Sequence, residues 1–179
     1  MKDKIVLNIN GKDYPFPLGK RLGQIPYSET LVQTLRERLG IQGTKVSCEH
    51  GLCGRCSVLI DGKAVASCMT LTADCDGKTI ETIEKLQNKE AGRLIEIIQD
   101  KKTGTPDPLA VAIANYDGFK CQFCKAGVTI AVKSVFNKNP YPTESEIREG
   151  LSGNFCRLQR ECGIGTQLVQ HVRKFSSKA

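Results

Sequence analysis

The chain has 179 residues, 40% of them apolar and 25% charged, and a net charge of +7. That length suits two small domains with real hydrophobic cores, and the composition excludes disordered, collagen-like and membrane-spanning chains. The charge does not form a nucleic-acid stripe, because bases are interspersed with acids and stacking aromatics are sparse, with six Phe, four Tyr and no Trp. No apolar run reaches membrane length, and the first residues lead into strand-like alternation rather than a secretory core. A cytoplasmic protein with no membrane span and no nucleic-acid partner is therefore expected.

Lys4 to Asn10 alternates apolar and polar residues through Ile5, Leu7 and Ile9, which predicts a strand, and Gly11-Lys12-Asp13 predicts the turn of a hairpin. Leu31, Val32, Leu35 and Leu39 recur at helical spacing, so a helix is expected over 29–39, with Ser28 as N-cap and Gly40 as the stop. A Gly- and Cys-rich loop from Gly43 to Cys56 follows. Strands are then expected over Ser57 to Ile60 and Ala64 to Met69 around an Asp61-Gly62 turn, with a last strand near Thr79 to Ile83.

After Leu86 the periodicity turns helical, over 91–102, 108–116, 127–137, 144–151 and 163–175. Thr143-Glu144-Ser145-Glu146 reads as a capping box, and Val128, Ala131, Val132, Val135 and Phe136 form an apolar stripe that belongs to a core. The fold class is α+β. Residues 1–86 form one small domain and residues 87–179 a helical one, with the boundary near Leu86 to Glu90.

Nine cysteines are many for a reducing compartment, where disulfides do not persist, so metal ligation is the better reading. Cys48, Cys53 and Cys56 stand as C-x4-C-x2-C, and Cys68 follows after eleven residues. This is the plant-type [2Fe-2S] spacing. Two sulfide-bridged irons need four thiolates, of which a tight loop supplies three and a neighbouring strand the fourth. Gly51 and Gly54 suit that loop, since glycine admits left-handed backbone and brings N–H groups close to sulfur. A zinc site would favour two short C-x2-C hooks, and the five-residue step from Cys48 to Cys53 fits the diiron loop better. His50 reads as an exposed loop residue, because His171 is the only other histidine and a Rieske centre needs two. Cys75, outside both cysteine sets, is assigned no function.

A second set comprises Cys121-Gln122-Phe123-Cys124, Cys156 and Cys162. Together with Gly43-Thr44-Lys45, the Cys48 to Cys56 loop, Asp61-Gly62-Lys63, Ser67-Cys68, Thr82-Ile83-Glu84, the segment 139–143 and Gly153-Asn154-x-Cys156-Arg157, it gives nearly the whole chain a marked likeness. The chain resembles the small iron–sulfur subunit of molybdenum hydroxylases, the family of xanthine dehydrogenase, aldehyde oxidoreductase, aerobic-type carbon monoxide dehydrogenase and 4-hydroxybenzoyl-CoA reductase. The resemblance implies a ferredoxin-like (β-grasp) [2Fe-2S] domain, then a four-helix bundle holding a second [2Fe-2S] cluster. It also implies electron transfer from a molybdenum cofactor in a large subunit to a flavin (FAD) subunit or other acceptor. No substrate site is expected in this chain itself.

Three positions depart from the family pattern. Leu158 occupies the place of the last ligand of the second cluster, and Cys162 is the preferred replacement; a three-cysteine cluster with another ligand, or no second cluster, are the alternatives. Lys120 stands where the family carries a Gln that contacts the molybdenum cofactor, and Lys125-Ala126 replaces Thr-Pro. A stand-alone electron carrier and a one-cluster scaffold subunit remain competing readings. Against the carrier, a freely diffusing protein needs no helical domain as large as its cluster domain.

Overall fold

The computed structural model describes residues 3–86, 112–113, 115–158 and 164–176. Its first part is a mixed five-stranded sheet built from β1 (Lys4–Ile9), β2 (Lys12–Pro17), β3 (Ser57–Ile60), β4 (Lys63–Ala66) and β5 (Thr79–Glu81), in the order β2-β1-β5-β3-β4. The β1–β5 pair is parallel and the other pairs are antiparallel. The alternation in β1 does what it predicts, since Ile5, Leu7 and Ile9 are buried on one face. β2 is an edge strand and carries Pro15 and Pro17, positions where a missing N–H costs no interior ladder bond.

A short helix, α1 (Leu31–Gln33), continues as a π-helical turn, Thr34–Arg38, and lays Leu31 and Leu35 on the sheet core with Val58, Ile60 and Ile80. Each such aliphatic side chain contributes about 1.5–3 kcal/mol on full burial. The helix starts later than the expected 29–39. Its cap is Thr30, not Ser28, because the Thr72 N–H donates to the Glu29 carbonyl and the Leu31 N–H donates to the Thr70 carbonyl, which holds Thr30 extended just ahead of the helix. Gln33 completes the cap by accepting the Thr30 N–H at 2.9 Å.

The strand expected to reach Met69 ends at Ala66. Ser67–Met69 winds into a 3-10 turn, held by the Ser67 hydroxyl donating to the Cys56 carbonyl at 2.6 Å. Likewise β5 stops at Glu81, and Ile83–Leu86 forms another 3-10 turn.

The second part contains α2 (Lys125–Lys138), α3 (Glu144–Leu151) and α4 (Thr166–Ser176). The capping box is present, with Glu146 accepting the Thr143 N–H and its own N–H bound to the Thr143 hydroxyl. Val128, Ala131 and Val132 are buried with Ile147, Leu168 and Val172, and Val135 and Phe136 pack at the margin. The expected helices over 91–102 and 108–116 lie outside the described residues, apart from Ala112, Ile113, Asn115 and Tyr116. Helix α2 runs slightly longer than expected, and α4 begins three residues after Gly163. Two bonds tie α2 to the β3–β4 hairpin: Ser134 Oγ accepts from Ala64 N at 2.9 Å, and Asn137 donates to the Gly62 carbonyl at 3.1 Å. Among the described residues, no helix is long and apolar enough to cross a membrane.

Candidate metal centre

The loop between α1 and β3 is anchored before its chemistry begins. Arg36 donates to the carbonyls of Thr44 (2.8 Å) and Gln42 (3.1 Å), and the Gly43 N–H is bound by Glu84. Beyond that anchor the backbone takes positive φ at Glu49 (57°), Gly51 (73°) and Gly54 (65°). These reversals gather successive N–H groups into a concave nest that favours an anion.

Sulfur fills that nest. The N–H groups of His50, then Cys53 and Leu52, approach Cys48 Sγ, the first at 3.5 Å, and the Gly51 N–H points to Cys68. The His50 N–H above all holds the Cys48 thiol down to about 6, against partial burial. Burial pushes the Cys68 thiol up to about 11, helped by Cys56 beside it. Among the described residues no three Cys, His, Asp or Glu side chains converge as a single metal ion requires. The cysteines meet in pairs instead, Cys48 with Cys53 and Cys56 with Cys68, and Cys68 also feels the charge of Cys48. Two thiolates to each of two irons is the donor set of a [2Fe-2S] cluster, so these residues fit that group. Cys53, Cys56 and Cys68 are buried and Cys48 is half-buried.

His50 is exposed, as expected, and its ring is turned to the Cys48 carbonyl. Cys75 is fully buried away from this set, and its thiol, raised to about 11 by burial, meets the Leu71 carbonyl at 3.5 Å.

The second set is less uniform. Cys124 caps α2 at its positive end, where negative charge is favoured. Cys124 and Cys156 are both buried in the helical core, whereas Cys121 and Lys120 are exposed on the turn before the helix. Leu158 packs against that core as a hydrophobe. Cys162 lies outside the described residues. Of the second set, Cys124 and Cys156 thus share the helical core, and Cys121 is exposed on the turn before α2. Lys125 is buried, with its ammonium 5.7 Å from the centroid of Phe119, and burial lowers its proton affinity.

The two sets are in direct contact, which spacing alone could not reveal. The Phe155 N–H donates to the Cys53 carbonyl at 3.1 Å, and the Asn154 amide donates to the Gly54 carbonyl at 3.3 Å. A Cβ on Gly127 would sit 2.1 Å from that same Gly54 oxygen, and one on Gly54 would sit 2.6 Å from the Gly153 carbonyl. Glycine at both positions is what permits the approach. Arg55, Gly127 and Phe155 line this contact. The sequence holds no signal for them except that Arg55 and Phe155 neighbour ligand candidates.

Comparison with known proteins agrees with this geometry. A family described as "2Fe-2S iron-sulfur cluster binding domain" matches residues 32–103, and one described as "[2Fe-2S] binding domain" matches 82–170. The chain is 36% identical to a probable xanthine dehydrogenase subunit of Bacillus subtilis, over 91% of this chain and 82% of that one. It is also 36% identical to the nicotine 6-hydroxylase small subunit of Paenarthrobacter nicotinovorans, over 86% and 80%. Among solved structures, a chain of quinoline 2-oxidoreductase from Pseudomonas putida matches with a TM-score of 0.72 at 31% identity, over 98% of this chain and 96% of that one.

Proposed function

Because the chain belongs to the family of small iron–sulfur subunits of molybdenum hydroxylases, we propose that it is the electron-transfer subunit of a multi-subunit oxidoreductase, linking a large molybdenum-cofactor subunit to a flavin subunit. In this reading residues 1–86 form a ferredoxin-like (β-grasp) domain and residues 87–179 a four-helix bundle. Cys48, Cys53, Cys56 and Cys68 hold one [2Fe-2S] cluster. Cys121, Cys124, Cys156 and Cys162 hold the other. When bound, the clusters supply one-electron redox chemistry.

The chain's own residues supply the rest. The N–H groups of His50, Gly51, Leu52 and Cys53 stabilise negative charge on sulfur. The single observation carrying the electron-transfer reading is the bond from the Phe155 N–H to the Cys53 carbonyl. Phe155 precedes Cys156, so a covalent path interrupted by one hydrogen bond joins a cysteine of the first set to one of the second. In this reading the surface near Cys121 to Lys125, beside exposed Lys120, meets the molybdenum subunit, and the Gly43 to Cys56 loop, with Leu52 exposed, approaches the acceptor. Assembly in the cytoplasm accords with the number of cysteines held as thiols.

Native mass spectrometry of the endogenous protein tests this. The chain should co-purify with a large subunit and molybdenum. A predominantly monomeric carrier, active with unrelated reductases and free of molybdenum, contradicts it.

A further inference from the structure

Arg55 stands inside the C-x2-C of the first loop, next to Cys56 and two residues from Cys53. Its guanidinium carbon lies 5.7 Å from the centroid of Phe123, the residue just before Cys124 in the second set. Its Nη1 donates to the hydroxyl of Ser47, which precedes Cys48. The Arg55 Nε is buried without a hydrogen-bond partner, and among the described residues Arg55 enters no ion pair. Its backbone is fixed as well, since Arg55 Cα lies 2.9 Å from the place a Cβ on Gly127 would take.

A guanidinium stays charged at every working pH and stacks on aromatic faces. Arg55 is thus a cation with no carboxylate partner among the described residues, held between the two cysteine sets by a hydroxyl, a ring and a clamped main chain. A side chain serving only as a packing clip needs no charge, and the buried Nε–H without an acceptor costs stability that a neutral residue would avoid. A [2Fe-2S] centre held by four thiolates is anionic and gains one more negative charge on reduction, and its potential follows the charge around it. A nearby fixed cation therefore favours the reduced state.

We propose that Arg55 is a positioning residue for electron transfer, a fixed cation that raises the electron affinity of the first centre and locks its loop against the second. The inference rests on the two-cluster reading above. The transfer it biases moves one electron, lost by one centre and gained by the other, with no bond made or broken.

The test is an EPR-monitored redox titration of the native complex carrying Arg55→Gln, Arg55→Ala or Arg55→Lys, with iron counted in each. Both neutral variants should keep their iron and weaken reduction of the first centre about three- to tenfold, where a factor of ten is about 59 mV for one electron. Arg55→Lys should stay within about twofold of the wild type, since the charge remains. Unchanged potentials in the neutral variants overturn the proposal, and so does an equal shift in Arg55→Lys. Loss of iron from both neutral variants assigns Arg55 to assembly and overturns it too. Absence of any cluster signal from the wild type would instead remove the reading on which the proposal rests.

Discussion

The two cysteine sets hold their sulfurs by different means. In the first, a loop reversed at Glu49, Gly51 and Gly54 gathers Cys48, Cys53, Cys56 and Cys68 in two pairs, and main-chain N–H groups do the gathering. In the second, Cys124 and Cys156 are placed by helix packing among apolar side chains, with Cys121 exposed beside them. A site made by local backbone geometry tolerates change around it as long as the loop conformation survives. A site made by packing depends on distant elements meeting, and there Leu158 packs against the core as a hydrophobe.

That contrast sets the order of expected effects. Cys53→Ser should have the largest, removing the first centre and about two of about four irons per chain, while the signal of the second centre persists. Loss of both signals together would mean that the two sites are not independent. Cys162→Ala should have the mirror effect, lowering iron by about two and sparing the first signal. If this variant keeps all its iron, another donor closes the second site and Cys162 is a packing residue.

Gly127→Ala sharpens the comparison at the contact itself. Its methyl group would fall 2.1 Å from the Gly54 oxygen, so the loop and α2 must separate. The expected cost is about 1–3 kcal/mol, read as a lower Tm, together with slower transfer between the two centres in rapid-freeze reduction. A variant with wild-type Tm and transfer would show that the contact is incidental.

Cys75 gives the smallest effect and a control, a buried thiol belonging to neither set. Its proton affinity is raised on folding, so its contribution to stability is complete below about 9, where the unfolded thiol titrates, and falls as pH rises toward about 11. Two pH units correspond to about 2–3 kcal/mol at most. Comparing the unfolding free energies of wild type and Cys75→Ala between pH 8 and 11 should show the wild type losing more. Parallel curves would contradict the burial argument.

Much of this was legible in the sequence for reasons the two regions make plain. The Cys48 to Cys56 loop could be read because its function is local: spacing and glycines specify a backbone shape. The capping box at Thr143 and the strand at Ile5, Leu7 and Ile9 were readable on the same ground. The helix start at Thr30 was not, because Thr70 and Thr72 hold residues 29–31 from about forty positions away, and tertiary bonds outweighed Ser28 as a cap. The end of β4 at Ala66 was hidden likewise, since the turn that carries Cys68 is fixed by a bond to the Cys56 carbonyl. The contact of Phe155 with Cys53 joins residues about a hundred positions apart and leaves no periodicity or motif behind.

The central claim is that one chain holds two [2Fe-2S] centres, on segments joined by the Phe155 to Cys53 bond. Spin quantitation by EPR on the dithionite-reduced native protein, paired with iron analysis, tests it most directly. Two distinct signals integrating to about two spins, with about four irons per chain, are predicted from one unpaired electron and two irons per reduced centre. A single signal with about two irons would contradict it, leaving the helical part without a centre and the Phe155 to Cys53 bond without an electron to carry.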